Sequence, residues 1–466
     1  MKKLFVIVLA TMMMTASLAA CKANIEVPEV DLSSLSSADE ATASATTSPT
    51  AAASSSVQET EAADDAVTNT SVDTGSTVKL TQADEVNTTA NVTSNGAIDA
   101  TDLFSDRDLR QTADLSEAVY YDLSDNSNIT ITSAGVYVIS GSAFEASVIV
   151  EAGDDDKVQL VLNGVTVNNS SSPAIYVKNA DKVFVTTAEG TTSNLTVTGT
   201  FSADSTTNTD AVIFSKDDLV LNGLGTLNIN STDNGVSSKD DLKITGCTIN
   251  ITCSSDALEA NESIAVADGA VTIKSGKDGL HAENDEDNAA GYIYICGGTF
   301  DITANSDGVQ ATTVAQIDGG SLTISAAEGI EGTFVQINGG TVNISAGDDG
   351  INATSKSSAV SVTIEINGGE VTVNMGQGDT DGIDSNGNLY INSGTVNVNA
   401  NSPFDYDGQG QINGGTVYVN GTQTTQLTNQ MMGGGMMGGM QGGDMGGNMG
   451  GNMGGNMGGN RGGFAR

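Results

Sequence analysis

The sequence has no tryptophan, one histidine, four prolines, four cysteines and only 17 lysines and arginines among 466 residues. Each scarcity removes a class of function. Beyond Lys277 the one lysine or arginine before Arg461 is Lys356. No patch there could neutralise a phosphate backbone, so nucleic acid is not an expected partner. Aromatic residues are 4% of the chain, so platforms for stacking neutral sugars reduce to a few tyrosines, chiefly Tyr292, Tyr294, Tyr390, Tyr406 and Tyr418. Cys247, Cys253 and Cys296 fit no zinc spacing. They read as small buried hydrophobes, with one disulfide among them an open alternative. What the chain does have is 56 glycines, much Thr, Asn and Ser, and 58 acidic residues for a net charge of −41. That balance suits a β-solenoid or a disordered chain better than an ordinary α/β enzyme.

The organising feature is a repeat. Strands of the form TLNIN recur at 226, 248, 270, 299, 321, 341, 370, 395 and 416. Most intervals lie near 20 to 22 residues, and the longer ones hold insertions at 284–291 and 353–361. In Thr341-Val342-Asn343-Ile344-Ser345 the period is two, so Val342 and Ile344 face one side and the polar residues the other. A repeat this short holds two or three strands and no crossover helix. Such units bury their apolar side by stacking on one another. The predicted fold is therefore all-β: a parallel β-helix of about 13 coils at roughly 4.8 Å per coil. Gly-Gly pairs such as Gly339-Gly340 supply the positive φ that corners need.

The ends read differently. Lys2 and Lys3 precede an apolar run that closes as Leu18-Ala19-Ala20-Cys21, which resembles a bacterial lipobox. That resemblance implies a signal peptide over 1–20, acylation of Cys21, and a membrane-anchored protein at the cell surface. Residues 21–100 are Ser, Thr, Ala and acidic residues and read as a disordered linker. Residues 101–421 form the solenoid domain. Within it 101–128 lies outside the repeat and is expected to cap the exposed N-terminal end, partly as helix. Residues 422–466 form a Met/Gly-rich tail that should not fold alone.

The informative polar residues sit at corners. Lys216-Asp217-Asp218-Leu219 recurs as Lys239-Asp240-Asp241-Leu242 and then as Asn261-Glu262-Ser263-Ile264, followed by the acidic loop with Glu283, Asp285 and Asp287. A second ladder comprises Asp233, Asp256, Asp278, Asp307, Glu328, Asp349, Asp381 and Asp384. Carboxylates one coil apart repel, by about 1 kcal/mol per pair even in water. A hard divalent cation that wants six to eight oxygens would compensate them, and Ca²⁺ is the natural candidate. The expected metal set is Asp217, Asp218, Asp240, Asp241 and Glu262, with Glu283, Asp285 and Asp287 nearby, and Asp256, Asp278 and Asp307 on the second ladder. The competing reading is turn chemistry, with Asp bonding its own backbone beside Gly.

Several stretches look familiar: GDDDKVQLVLNGVTV at 153–167, AVIFSKDDLVLNG at 211–223, DNGVSSKDDLKITG at 233–246, DGLHAENDEDNAAGYIYICGGTFDIT at 278–303, TDGIDSNGNLYINSGTV at 380–396 and PFDYDG at 403–408. In this order they resemble the bacterial carbohydrate-binding β-helix family, surface proteins associated with cellulose and polygalacturonate, whose fold is similar to pectate lyases. The resemblance implies a calcium-containing right-handed β-helix that binds polysaccharide without catalysis. Asn234, Ala257 and Pro403-Phe404 depart from the Asp-Gly pattern, so not every coil can carry a metal. Two other functions stay open. A uronate lyase would need a base, for which Lys216, Lys239, Lys243, Lys274, Lys277 and His281 are candidates, with Ca²⁺ to acidify the α-proton. A purely structural or adhesive surface protein would need neither.

Overall fold

Residues 91–93, 96–203, 207–284, 286–376 and 380–429 are described by a computed structural model. Among them there is no helix, and the strands pair almost entirely in parallel. One coil shows the plan. Asp307–Ala311 lies on the first face, Val314–Ile317 on the second and Ser321–Ala326 on the third. The next coil repeats it as Glu328–Gly332, Phe334–Ile337 and Thr341–Ala346. The structure is thus a three-faced parallel β-helix, and its first face is a ladder of twelve strands.

The register is the one implied by the repeat. Thr226, Thr248, Ala270, Thr299, Ser321, Thr341, Glu370, Thr395 and Thr416 pair in that order up the third face. Alternation sends Leu322, Ile324, Val342 and Ile344 inward, each at most 1% exposed. Each such side chain contributes about 2 kcal/mol through removal of apolar surface from water. A one-residue slip would turn the whole row outward, which fixes the pairing.

Corners carry their own chemistry. Between the second and third faces an amide ladder runs up the stack. Asn338 Nδ2 donates to Asp318 Oδ1 (2.7 Å), Asn367 to Asn338 (2.8 Å), Asn392 to Asn367 (2.7 Å) and Asn413 to Asn392 (2.7 Å). Each rung satisfies the next coil's amide, so the ladder ties coils together where no strand does. Immediately after it, Gly340 takes φ 81°, and a Cβ there would stand 2.7 Å from the Gly320 carbonyl oxygen. Both insertions leave from the corner between the first and second faces. They touch: Ser357 Oγ donates to Asn288 O at 2.6 Å.

The termini differ from expectation. Residues 101–111 do not cover the end of the helix. With the short strands Asn91–Val92 and Ile98–Asp99 they form a strap along the outside of the second face. Ile98 N–H donates to Gln316 Oε1 at 2.7 Å, and Leu103 is buried against Ala265, Tyr292 and Tyr294. Further along, Arg107 lies over the Phe184 ring, 4.4 Å from its centroid. The physical reason is composition. The outer surface of this face carries apolar side chains, which need a cover as much as the end does. The first coil is then built by Val119–Asp122 pairing with Gly135–Phe144. Strands are thus already present ahead of the expected boundary at 101. They also continue past 421: Thr422–Thr424 folds back antiparallel on Thr416–Val419, and Leu427 packs on the core. Tyr292 and Tyr294, buried beneath the strap, are not sugar platforms.

Candidate functional site

The first face is acidic because of its repeated sequence, Asp-Gly-Val-Gln-Ala or a variant. Gly308 and Val309 both turn toward the interior: a Cβ on Gly308 would meet the core residue Ile324 at 2.3 Å. The flanking polar residues, three apart, then both point out. Two outward rows result. One holds Asn234, Asp256, Asp278, Asp307, Glu328, Asp349 and Asp381. The other holds Ser237, Glu259, His281, Gln310, Glu331, Asn352, Asp384 and Asp405. This corrects two placements. Asn234, not Asp233, is in register with Asp256, and Asp384 belongs to the second row. The second row was the signal overlooked in the sequence: the residue three after each Asp, Glu or Asn of the first row is Ser, Glu, His, Gln, Glu, Asn and Asp in turn.

The rows are bound internally. Asp278 N–H donates to Asp256 Oδ1 and Asp307 N–H to Asp278 Oδ1, both at 2.9 Å. His281 Nδ1 stands 3.6 Å from both Asp256 and Asp278, and its Nε2 3.3 Å from Glu283. Burial works against the charge of Asp256, but the His281 contact and the Asp278 N–H outweigh it and hold its carboxyl below the usual range. Further along the balance reverses. Burial, then Asp278, Glu328 and Glu331, push the Asp307 carboxyl up to about 8. Burial, then Asp384 and Glu328, push Asp349 up to about 7. Asp384 is raised to about 6 by burial and then by Asp405, Asp381 and Asp407.

The corner ladder is a different object. Asp217 with Asp240, and Asp218 with Asp241, are one coil apart as expected. Yet they are not left to a metal alone. Lys182 Nζ lies 3.4 Å from Asp218 and 3.7 Å from Asp108 of the strap, and Lys243 Nζ lies 3.5 Å from Asp108. Both lysines were absent from the expected picture of an uncompensated ladder. Asp217 accepts the Ala180 N–H at 3.0 Å, Ser263 hydroxyl donates to Asp241, and Asn284 Nδ2 donates to Glu262 at 2.9 Å. Asp287 accepts the Ala289 N–H at 2.9 Å, which is turn chemistry. Asp285 and Cys21 lie outside the described residues. Burial, opposed by Lys182, raises Asp218 to about 6. Burial with Asp218, Asp241 and Glu262 raises Asp240 to about 7. Cys247 and Cys253 are free thiols pushed up to about 12 by burial.

Among the described residues three groups bring ligand atoms within 4.8 Å of one another: Asp218, Asp240 and Asp241; Asp256, Asp278 and His281; Asp307, Glu328 and Glu331. The donors fit a hard cation best at the later coils, where Asp349, Asp381, Asp384 and Asp405 line the rows with the Asn352 amide. There Asn352 Oδ1 and Asp405 Oδ1 are buried without a hydrogen-bond partner, as atoms awaiting a positive ligand would be. The corner group fits less well, since the Lys182 ammonium already stands beside Asp218.

Known proteins match on this body. The model of the family described as carbohydrate-binding domain-containing protein matches residues 125–379 and 328–425. A carbohydrate-binding domain-containing protein of Acetivibrio thermocellus is 35% identical over 124 residues, 26% of this chain; the match spans 43% of that relative's length. A solved structure described as the polysaccharide lyase-like protein from C. thermocellum, a gadolinium derivative, aligns with 49% of this chain and 96% of its own at 28% identity and a TM-score of 0.43. The family matches span both rows of the acidic face and most of the solenoid, so the chain belongs to the family of carbohydrate-binding domain-containing proteins.

Proposed function

We propose that the protein binds acidic polysaccharide at the bacterial cell surface, through divalent cations, Ca²⁺ above all, held on the acidic face. The observation that carries this reading is the pair of in-register oxygen rows running side by side over successive coils. A uronate carboxylate cannot approach such a face unaided. A bound cation supplies the bridge, and oxygen-rich rows supply its remaining ligands. The lone histidine and Lys239 are engaged with carboxylates on the face, His281 with Asp256 and Asp278, and Lys239 with Glu259 at 3.5 Å. Neither stands free as a lyase base, which favours a binder over an eliminating enzyme. Attachment through an acylated Cys21 places the solenoid outside the cell in this reading.

One observation favours neutral glycan, such as cellulose, as a second ligand. The third face presents Thr and Asn in register, with Asn228 Nδ2 donating to Asn194 (2.9 Å) and Asn250 to Asn228 (2.8 Å). It is mainly a hydroxyl and amide surface, with Lys274, Asp301 and Glu370 among its exposed charges. A glycan array run in calcium and in EDTA tests both. Uronate polymers retained in calcium and lost in EDTA support the acidic face. Retention of neutral glucans alone, unaffected by EDTA, moves the function to the third face. No retention of any glycan leaves a structural surface protein.

A further inference from the structure

The acidic face contains one lysine that reaches it from outside the repeat. Lys356 is the single lysine or arginine between residues 278 and 460. It is carried by the second insertion, and its ammonium lies 2.7 Å from Glu331 Oε2. The Gln310 amide, in the orientation its neighbours dictate, accepts from Lys356 Nζ (2.6 Å) and donates to Asp278 Oδ2 (2.9 Å). The lysine therefore joins two acidic groups of the face through one amide.

The placement is enforced by the loop. Thr354 N–H donates to Gly332 O (3.0 Å), and the Lys356 and Ser357 amides both donate to Thr333 Oγ1 (3.0 and 2.9 Å). Ser357 in turn is bonded to the first insertion. The backbone on both sides of the ammonium is thus fixed to the coil that also carries Glu331. Entropy lost in holding a long side chain over acid is the usual reason surface pairs contribute little. Here the loop has already been ordered, and Glu331 is 9% exposed.

We infer that Lys356 is a built-in cation that occupies the Asp307–Glu328–Glu331 group and closes it to divalent metal. An ammonium supplies one charge where a calcium ion would supply two, which leaves this group with an excess of negative charge. The inference rests on the proposed reading that other parts of the face take metal, but its test does not. The substitution Lys356→Gln keeps the reach and the polarity of the tip and removes the charge. Terbium, a luminescent stand-in for calcium, is titrated into the full chain and into the variant, each verified as folded by circular dichroism. The variant gains one terbium ion per chain over the parent. Adding Glu331→Gln to it abolishes the gained ion, which locates it. Equal stoichiometry in parent and Lys356→Gln overturns the inference. So does a gained ion that survives Glu331→Gln. A parent that binds no ion while Lys356→Gln binds one sinks the calcium reading and leaves the inference standing.

Discussion

Asp108→Ala is the substitution that most sharply tests how the strap is held. Asp108 is 0% exposed and sits between two lysines that are themselves buried, Lys182 at 3.7 Å and Lys243 at 3.5 Å. Its Oδ2 also accepts the Ser105 N–H at 2.9 Å. Removing one partner from a buried ion pair costs about 3–5 kcal/mol, because the remaining charge stays buried. The lower end applies here. Lys182 keeps Asp218 at 3.4 Å, and Lys243 keeps the Leu103 carbonyl at 2.8 Å. The loss, about 3 kcal/mol, falls on docking of the strap rather than on the coils beneath, whose ladders and core are untouched. Hydrogen exchange reads it directly: a 3 kcal/mol loss speeds exchange roughly a hundredfold at amides 98–111. Third-face amides such as those of 341–346 should keep their protection. Exchange in the strap within threefold of the parent protein would refute the charged-lock reasoning. Global unfolding would refute the separation of strap from solenoid.

Four further outcomes follow from the same structure. Ile344→Ala, at a side chain 0% exposed, should destabilise the chain by about 2–5 kcal/mol in urea unfolding. Asn367→Ala removes two rungs of the amide ladder and should cost about 1–3 kcal/mol by the same measurement. The pH dependence has a definite sign. Asp307 and Asp349 are raised in the folded state to about 8 and about 7, so the folded chain binds more protons than the unfolded one. Their contribution is complete below about pH 4 and is lost as pH rises through their folded values, with a slope of at most about 1.4 kcal/mol per pH unit for each group. The melting temperature in EDTA should therefore be higher at pH 5 than at pH 8. Calcium at 100 times its Kd should restore about 2.7 kcal/mol at pH 8.

How much of this could be read from the sequence follows from what repeats. Thr341 and Ser321 are alike because each occupies the same place one coil apart, so spacing alone gave their pairing. The Asp217–Asp240–Glu262 corner was legible for the same reason. What does not repeat could not be read that way. The strap meets its partners across long separations, with Lys243 and Leu103 140 residues apart, and nothing in the period announces it. The second acidic row was hidden by its own variety. Ser237, Glu259, His281 and Gln310 share a position and a direction, not a chemistry, and only the two successive inward residues, such as Gly308 and Val309, place them beside the Asp row. The placement of Lys356 over that row depends on two insertions that pack on each other, which no single coil encodes.

The central claim is that the acidic face takes acidic glycan through metal. Calorimetric titration of a polygalacturonate oligomer into the full chain tests it most directly. The assay compares calcium with EDTA, and the parent with the double substitution Asp349→Asn and Asp384→Asn. These carboxylates are far from the lysine-filled corner, so their loss leaves the strap and its ion pairs in place. The account predicts binding in calcium, none in EDTA, and at least a tenfold weaker affinity in the variant. Equal binding by both proteins in calcium and in EDTA would contradict it.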